Sequence, residues 1–135
     1  MRQGEVVELE IPGAPEYVAI ARQAAEGIAR RMSFPASQVE DLKLAVGEAC
    51  TNAVKHGCPH NGRSSVVIRY VVQADGLMVE IRNHIAEGCS PQAPGSPDFN
   101  KEGGLGLYLM HQLVDEVDLS WDDETATVRL TKLIR

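Results

Sequence analysis

No run of roughly 18 or more apolar residues occurs in this 135-residue chain, and no basic N-terminus leads into an apolar segment. Both absences argue against membrane spanning and secretion. Positive charge is also scarce, with 13 Lys+Arg against 19 Asp+Glu and a formal net charge of -6. A nucleic-acid partner would favour a basic face, so none is expected, while a protein partner remains open. The three cysteines, Cys50, Cys58 and Cys89, form no C-x-x-C, which points to reduced thiols in a cytoplasmic protein. No G-x-x-x-x-G-K-S/T occurs, which excludes a P-loop, and the run from Gly104 to Leu109 fails the dinucleotide fingerprint. No Ser-His-Asp or Cys-His constellation is legible from spacing.

What is present fits one domain over 1–135, long enough to bury a core without staples. EVVELEI (5–11) alternates and reads as a strand that Pro12-Gly13 breaks. Pro15 suits the first turn of a helix reaching Arg31, with Val18, Ala21, Ala25 and Ile28 inward. Ser37-Gln38-Val39-Glu40 has the form of a capping box opening a second helix, roughly 38–56, which Gly57 is placed to cap. Two strands, 65–73 and 77–83, follow as a hairpin. Residues 84–103 read as a long loop, of the kind that is usually functional. A glycine-rich run then leads into a third helix over 103–117, and strands 117–121 and 125–132 close the chain. The order β-α-α-β-β-loop-α-β-β predicts an α+β two-layer sandwich, a mixed or antiparallel sheet with helices on one face.

Glu48 and Asn52 stand four residues apart on the second helix, so they lie one turn above the other on one face. They sit at the edge of the apolar face, in a polar stripe with Asp41 and Lys55. Such a stripe is either solvated or converges on something bound beside the helix. Gly103, Gly104 and Gly106 mark a loop becoming a helix, where free N–H groups either receive an anion or simply give a flexible hinge. His56, Cys58 and His60 alternate, but zinc usually needs four ligands, and only His84 and Cys89 are left to complete a set. A helix-terminal loop is the simpler reading there.

Taken together, E-x-x-x-N on a helix, a strand with a polar end, a long loop and G-L-G-L opening a helix resemble a known arrangement. It is the ATP-binding fold shared by histidine kinases, gyrase-type topoisomerases and heat-shock chaperones. LAVGEACTNAVKHG, GGLGLYLMHQLVDEV and TATVRLTK resemble the motifs of the short anti-sigma-factor serine/threonine kinases, and the likeness runs over roughly 5–132. The resemblance implies ATP and Mg²⁺ as cofactors, with Asn52 as the magnesium ligand and Glu48 as general base. It implies backbone N–H contacts to phosphate from Gly104, Leu105 and Gly106, with Lys101 a further contact, and Thr127 beside the adenine. Its implied partners are a sigma factor and an antagonist protein, in a family that is commonly dimeric.

One motif departs from the family. Where members carry D-x-G-x-G after the third strand, this chain reads Asn83-His84-Ile85-Ala86-Glu87. Asn83 still offers a carbonyl acceptor, at a cost of about 1 kcal/mol relative to a carboxylate. Ile85 cannot copy a glycine's φ > 0 or its close approach. Nucleotide binding weaker than is usual in the family is therefore expected. The kinase reading competes with that of a regulator holding partners without phosphorylating them, and with that of a detached histidine-kinase catalytic domain.

Overall fold

The computed structural model describes residues 1–57, 64–84, 106–122 and 124–134. Elements follow in the order β1 (Val6–Pro12), a 3₁₀ turn (Pro15–Tyr17), α1 (Val18–Arg31), α2 (Ala36–His56), β2 (Ser65–Val72) and β3 (Gly76–His84). A helix α3 over 106–113, β4 (Glu116–Trp121) and β5 (Thr125–Leu133) complete it. The expected loop, beyond His84, and the glycines before Gly106 lie outside the described residues.

The strands form one sheet in the order β1-β2-β3-β5-β4, and every neighbouring pair is antiparallel. Period-two patterning sets the faces. Val66, Ile68, Tyr70 and Val72 of β2 and Leu77, Val79 and Ile81 of β3 are buried in one core with Val39, Leu42, Val46, Ala49 and Cys50 of α2. The Tyr70 hydroxyl donates to the Ala21 carbonyl at 2.8 Å, tying β2 to α1. Burial pushes the Cys50 thiol up to about 12, so it is an inert packing residue.

The opposite face carries a row of alternating charge with one residue per strand. Glu8, Arg69, Glu80, Arg129 and Asp118 stand in register from β1 to β4. Successive neighbours approach to 3.5, 3.8, 2.9 and 3.5 Å. Glu80 at the centre is only 6% exposed, and Arg82 adds a third guanidinium at 3.8 Å. Glu80→Ala leaves three cations facing one another and should lower stability by about 1–3 kcal/mol. That is less than for a fully buried pair, because solvent reaches the arginines. Urea unfolding checks it; a loss below about 0.5 kcal/mol would mean the arginines are solvated independently.

Three local expectations change. The capping box does not form: Pro35 is the N-cap of α2, no side chain caps the helix, and Ser37 already lies within it. Pro35 presets the extended backbone that precedes a helix, and its carbonyl accepts from Gln38 and Val39 N–H at 2.9 and 3.0 Å. The preceding break is a Schellman motif, with Ser33 at φ 67 and the Phe34 N–H bonded to the Ala29 carbonyl at 3.1 Å. The third helix ends at 113 rather than 117, because Asp115 N–H bonds to the Thr131 carbonyl of β5 at 2.9 Å and draws the chain into the sheet.

Candidate functional site

The polar stripe of α2 is covered only in part: Asp41, Glu48 and Asn52 are half-buried, while Lys55 is exposed. Lys132 of β5 lies 3.7 Å from Asp41 and donates to the Leu113 carbonyl at 2.7 Å, joining the early part of α2 to the C-terminus of α3. Two turns further along, Glu48 and Asn52 meet the other end of α3. A Cβ built on Gly106 would stand 3.2 Å from Glu48 Oε2 and 3.5 Å from Asn52 Nδ2. The two helices therefore run antiparallel, with α3 resting on the stripe. Glu48 and Asn52 therefore stand against α3 rather than on a wholly open face.

Gly106 explains why the approach is so close. An alanine methyl here would crowd the Glu48 carboxylate, which would have to shift by a few tenths of an ångström, so glycine eases the close approach of α3 to Glu48 and Asn52. Glu48 and Asn52 are both half-buried. Among the described residues, Asn52 Nδ2 is a fully buried nitrogen with no hydrogen-bond partner. A buried amide without a partner costs about 1–3 kcal/mol, and such a cost needs a reason. Turning the amide exchanges its nitrogen and oxygen, so the same position presents a hard oxygen ligand toward Gly106. The site thus fits a hard cation, which takes carboxamide and phosphate oxygens.

Asn83 reaches the same end of α2 by a different route. Gly57 does not cap the helix in the left-handed conformation; its φ of -72 and ψ of 154 are extended. It is a spacer instead, since a Cβ there would lie 3.4 Å from Asn83 Nδ2 and 2.7 Å from the Ala53 carbonyl. Sequence reasoning missed that role because a glycine after a helix has an ordinary explanation as a cap. Asn83 is half-buried and shares its sheet row with Ala126.

Thr127 is placed otherwise than its expected position suggested. It pairs with Arg82, not with Asn83, and successive strand residues alternate faces. Its side chain therefore belongs to the charged face, where it is buried, and Ala126 is the β5 residue beside Asn83. Gly104, Leu105 and Lys101 lie outside the described residues, as do Cys58, His60 and Cys89 of the weighed metal set. Among the described residues no cluster of metal-binding side chains occurs, and no helix is long and apolar enough to cross a membrane.

This geometry and the order of elements define a class. Residues 11–132 match the histidine kinase-like ATPase domain, and the chain belongs to that family. Within it, the chain is 38% identical over 139 residues to the serine-protein kinase RsbW of Bacillus subtilis, spanning 96% of this chain and 86% of that one. The serine-protein kinase RsbW of Bacillus licheniformis is likewise 38% identical, over 98% of this chain and 88% of the relative. Among solved structures, the RsbU and RsbW domains of a Mycobacterium tuberculosis protein superpose with a TM-score of 0.69 at 14% identity. That match takes in 96% of this chain and 32% of the other. The histidine kinase domain of a blue-light activated kinase from Erythrobacter litoralis gives 0.57 at 21% identity, over 99% of this chain and 65% of the other, and the two confirm the fold.

Proposed function

We propose that this chain is an ATP-dependent serine/threonine protein kinase and anti-sigma regulatory factor. It phosphorylates an antagonist protein in a partner-switching pathway that controls transcription. The observation that carries the reading is the close approach of Glu48 and Asn52 to α3 at Gly106. Kinship with relatives named serine-protein kinases supports the same activity. The kinship also disfavours the non-catalytic alternative. A cytoplasmic location and a homodimer are part of the proposal.

Bound Mg-ATP supplies the phosphoryl group and neutralises part of its charge. Phosphoryl transfer otherwise needs positioning and electrostatic stabilisation more than covalent help from the protein. Asn52 would hold the magnesium through its amide oxygen. As the family resemblance implies, the backbone N–H groups of Gly104, Leu105 and Gly106 would bind the phosphates, and Lys101 would add a charge. Glu48 Oε takes the proton of the incoming hydroxyl. Asn83 binds the adenine edge through its amide.

The test is incubation with γ-labelled ATP, Mg²⁺ and a candidate antagonist protein of the anti-anti-sigma class. Labelled phosphoserine or phosphothreonine on the antagonist is expected. Binding of the antagonist without label would favour the holding module instead. A milder effect is expected at the altered adenine motif. Asn83→Asp restores a charged acceptor and should tighten Mg-ATP by about fivefold, the equivalent of about 1 kcal/mol, in calorimetric titration. Unchanged or weaker binding would place the deficit at Ile85, or in a cleft that no longer takes adenine.

A further inference from the structure

We infer that Lys132 is a positioning residue of the phosphoryl-transfer site, which from the far end of α3 sets where Gly106 stands over Glu48 and Asn52. The inference rests on the kinase reading above and extends it to a residue with no part in the chemistry itself. Lys132 pairs with Leu77, a residue of the core, so it projects from β5 to the helix-covered face of the sheet. Its side chain is only 12% exposed. A lysine is rarely buried so far unless its ammonium is paired. Here the ammonium donates to the Leu113 carbonyl at 2.7 Å and lies 3.7 Å from the Asp41 carboxylate. Leu113 ends α3, where carbonyls lack partners within the helix and a cation is favoured.

The same segment of β5 holds the chain just beyond α3. Asp115 N–H donates to the Thr131 carbonyl at 2.9 Å, and the Asp115 carboxylate accepts from Leu133 N–H at 2.7 Å. Along its length α3 rests on apolar side chains: Met110 is buried, and Leu107 and Leu113 pack against the core. Apolar packing is non-directional and tolerates a shift along the helix axis, whereas bonds of fixed length do not. The spacings carry that restraint to the site. Asp41 and Glu48 are seven residues apart on α2, as are Gly106 and Leu113 on α3, and seven residues span about 10 Å of helix. On antiparallel helices, fixing Leu113 beside Asp41 therefore places Gly106 beside Glu48, where its built Cβ is 3.2 Å from the carboxylate. Those polar anchors lie at one end of α3 and the chemistry at the other.

Lys132→Met keeps most of the stem and removes the ammonium. Glu80→Ala, on the opposite face of the sheet, is the control for lost stability alone. In the nucleotide-free protein the Gly106 Hα protons and the Asn52 side-chain amide are close enough for a nuclear Overhauser effect. Lys132→Met should abolish that effect while those among core side chains persist. Its kcat toward a candidate antagonist protein of the anti-anti-sigma class should fall by on the order of 10²-fold, as a small misplacement of reacting groups can cost. By calorimetry its Mg-ATP affinity should fall about tenfold, the equivalent of one lost hydrogen bond to a charged group. Glu80→Ala should change none of these per folded molecule. An intact Overhauser effect with wild-type kcat and affinity in Lys132→Met would overturn the role of Lys132 and leave the kinase reading standing. Equal losses in Lys132→Met and Glu80→Ala would overturn it too, and reduce Lys132 to a stabilising contact. A lost Overhauser effect in Lys132→Met, with a wild type that binds no Mg-ATP, would keep the placing of α3 by Lys132 and overturn the kinase reading. If Lys132→Met fails to fold, Lys132→Gln, whose stem is too short to reach both Asp41 and Leu113, carries the same test.

Discussion

Glu48→Gln should lower phosphorylation of the antagonist by on the order of 10²–10⁴, the usual contribution of a positioned general base. The variant keeps the length and shape of the side chain, so the fit beneath Gly106 is preserved. It removes one charge beside α3, a change that a folded domain tolerates. Mg-ATP should bind nearly as in the wild type, because the substituted atom accepts a proton rather than holding the nucleotide. The comparison to make is kcat at saturating ATP against the dissociation constant from calorimetry. A fall in kcat with an unchanged constant assigns Glu48 to the chemistry. A parallel loss of both would assign it to binding. Wild-type activity in the variant would remove the kinase reading's base altogether.

The fold was legible in the sequence where one period repeats undisturbed. SVVIRYVVQ gave β2 because every second residue is apolar, and the structure buries Val66, Ile68, Tyr70 and Val72 in turn. The inward residues Val18, Ala21, Ala25 and Ile28 of α1 are all buried. Boundaries were less legible, because they are decided by partners distant in sequence. The end of α3 depends on a bond from Asp115 to Thr131, and nothing within 103–117 announces it. The start of α2 turned on Pro35 rather than on the more conspicuous Ser37 and Glu40.

The site shows the same division. The i, i+4 spacing put Glu48 and Asn52 on one face, but only tertiary packing could show that α3 covers it. Whether Thr127 or Ala126 faces Asn83 is a question of strand register, and a one-residue shift reverses the answer. The charged row through Glu80 was invisible for a similar reason. Its five members come from five separate segments, and each looks like an ordinary surface charge within its own strand.

Asn52 invites a prediction in which stability and function move in opposite directions. In the protein without nucleotide its Nδ2 is buried beside Gly106 and unpartnered, a cost of about 1–3 kcal/mol. Leucine has the same branching at Cγ, no polar atoms, and a better helix propensity by a few tenths of a kcal/mol. Asn52→Leu should therefore stabilise the nucleotide-free protein by about 1–2 kcal/mol, seen as a higher urea midpoint with an unchanged slope. The same change removes the oxygen that holds magnesium. Mg-ATP affinity should fall by at least about 10–100-fold, the range seen when even the outer support of a metal ligand is lost. With EDTA in place of Mg²⁺, the variant and the wild type should bind ATP alike, since the amide holds the ion and not the base. The pairing of outcomes is what makes the test sharp. A residue kept for packing alone would lose stability on replacement, and a solvated one would change neither quantity. Higher stability with lost magnesium-dependent binding is the signature of a polar group kept buried, at a cost to the empty protein, for the ion it holds.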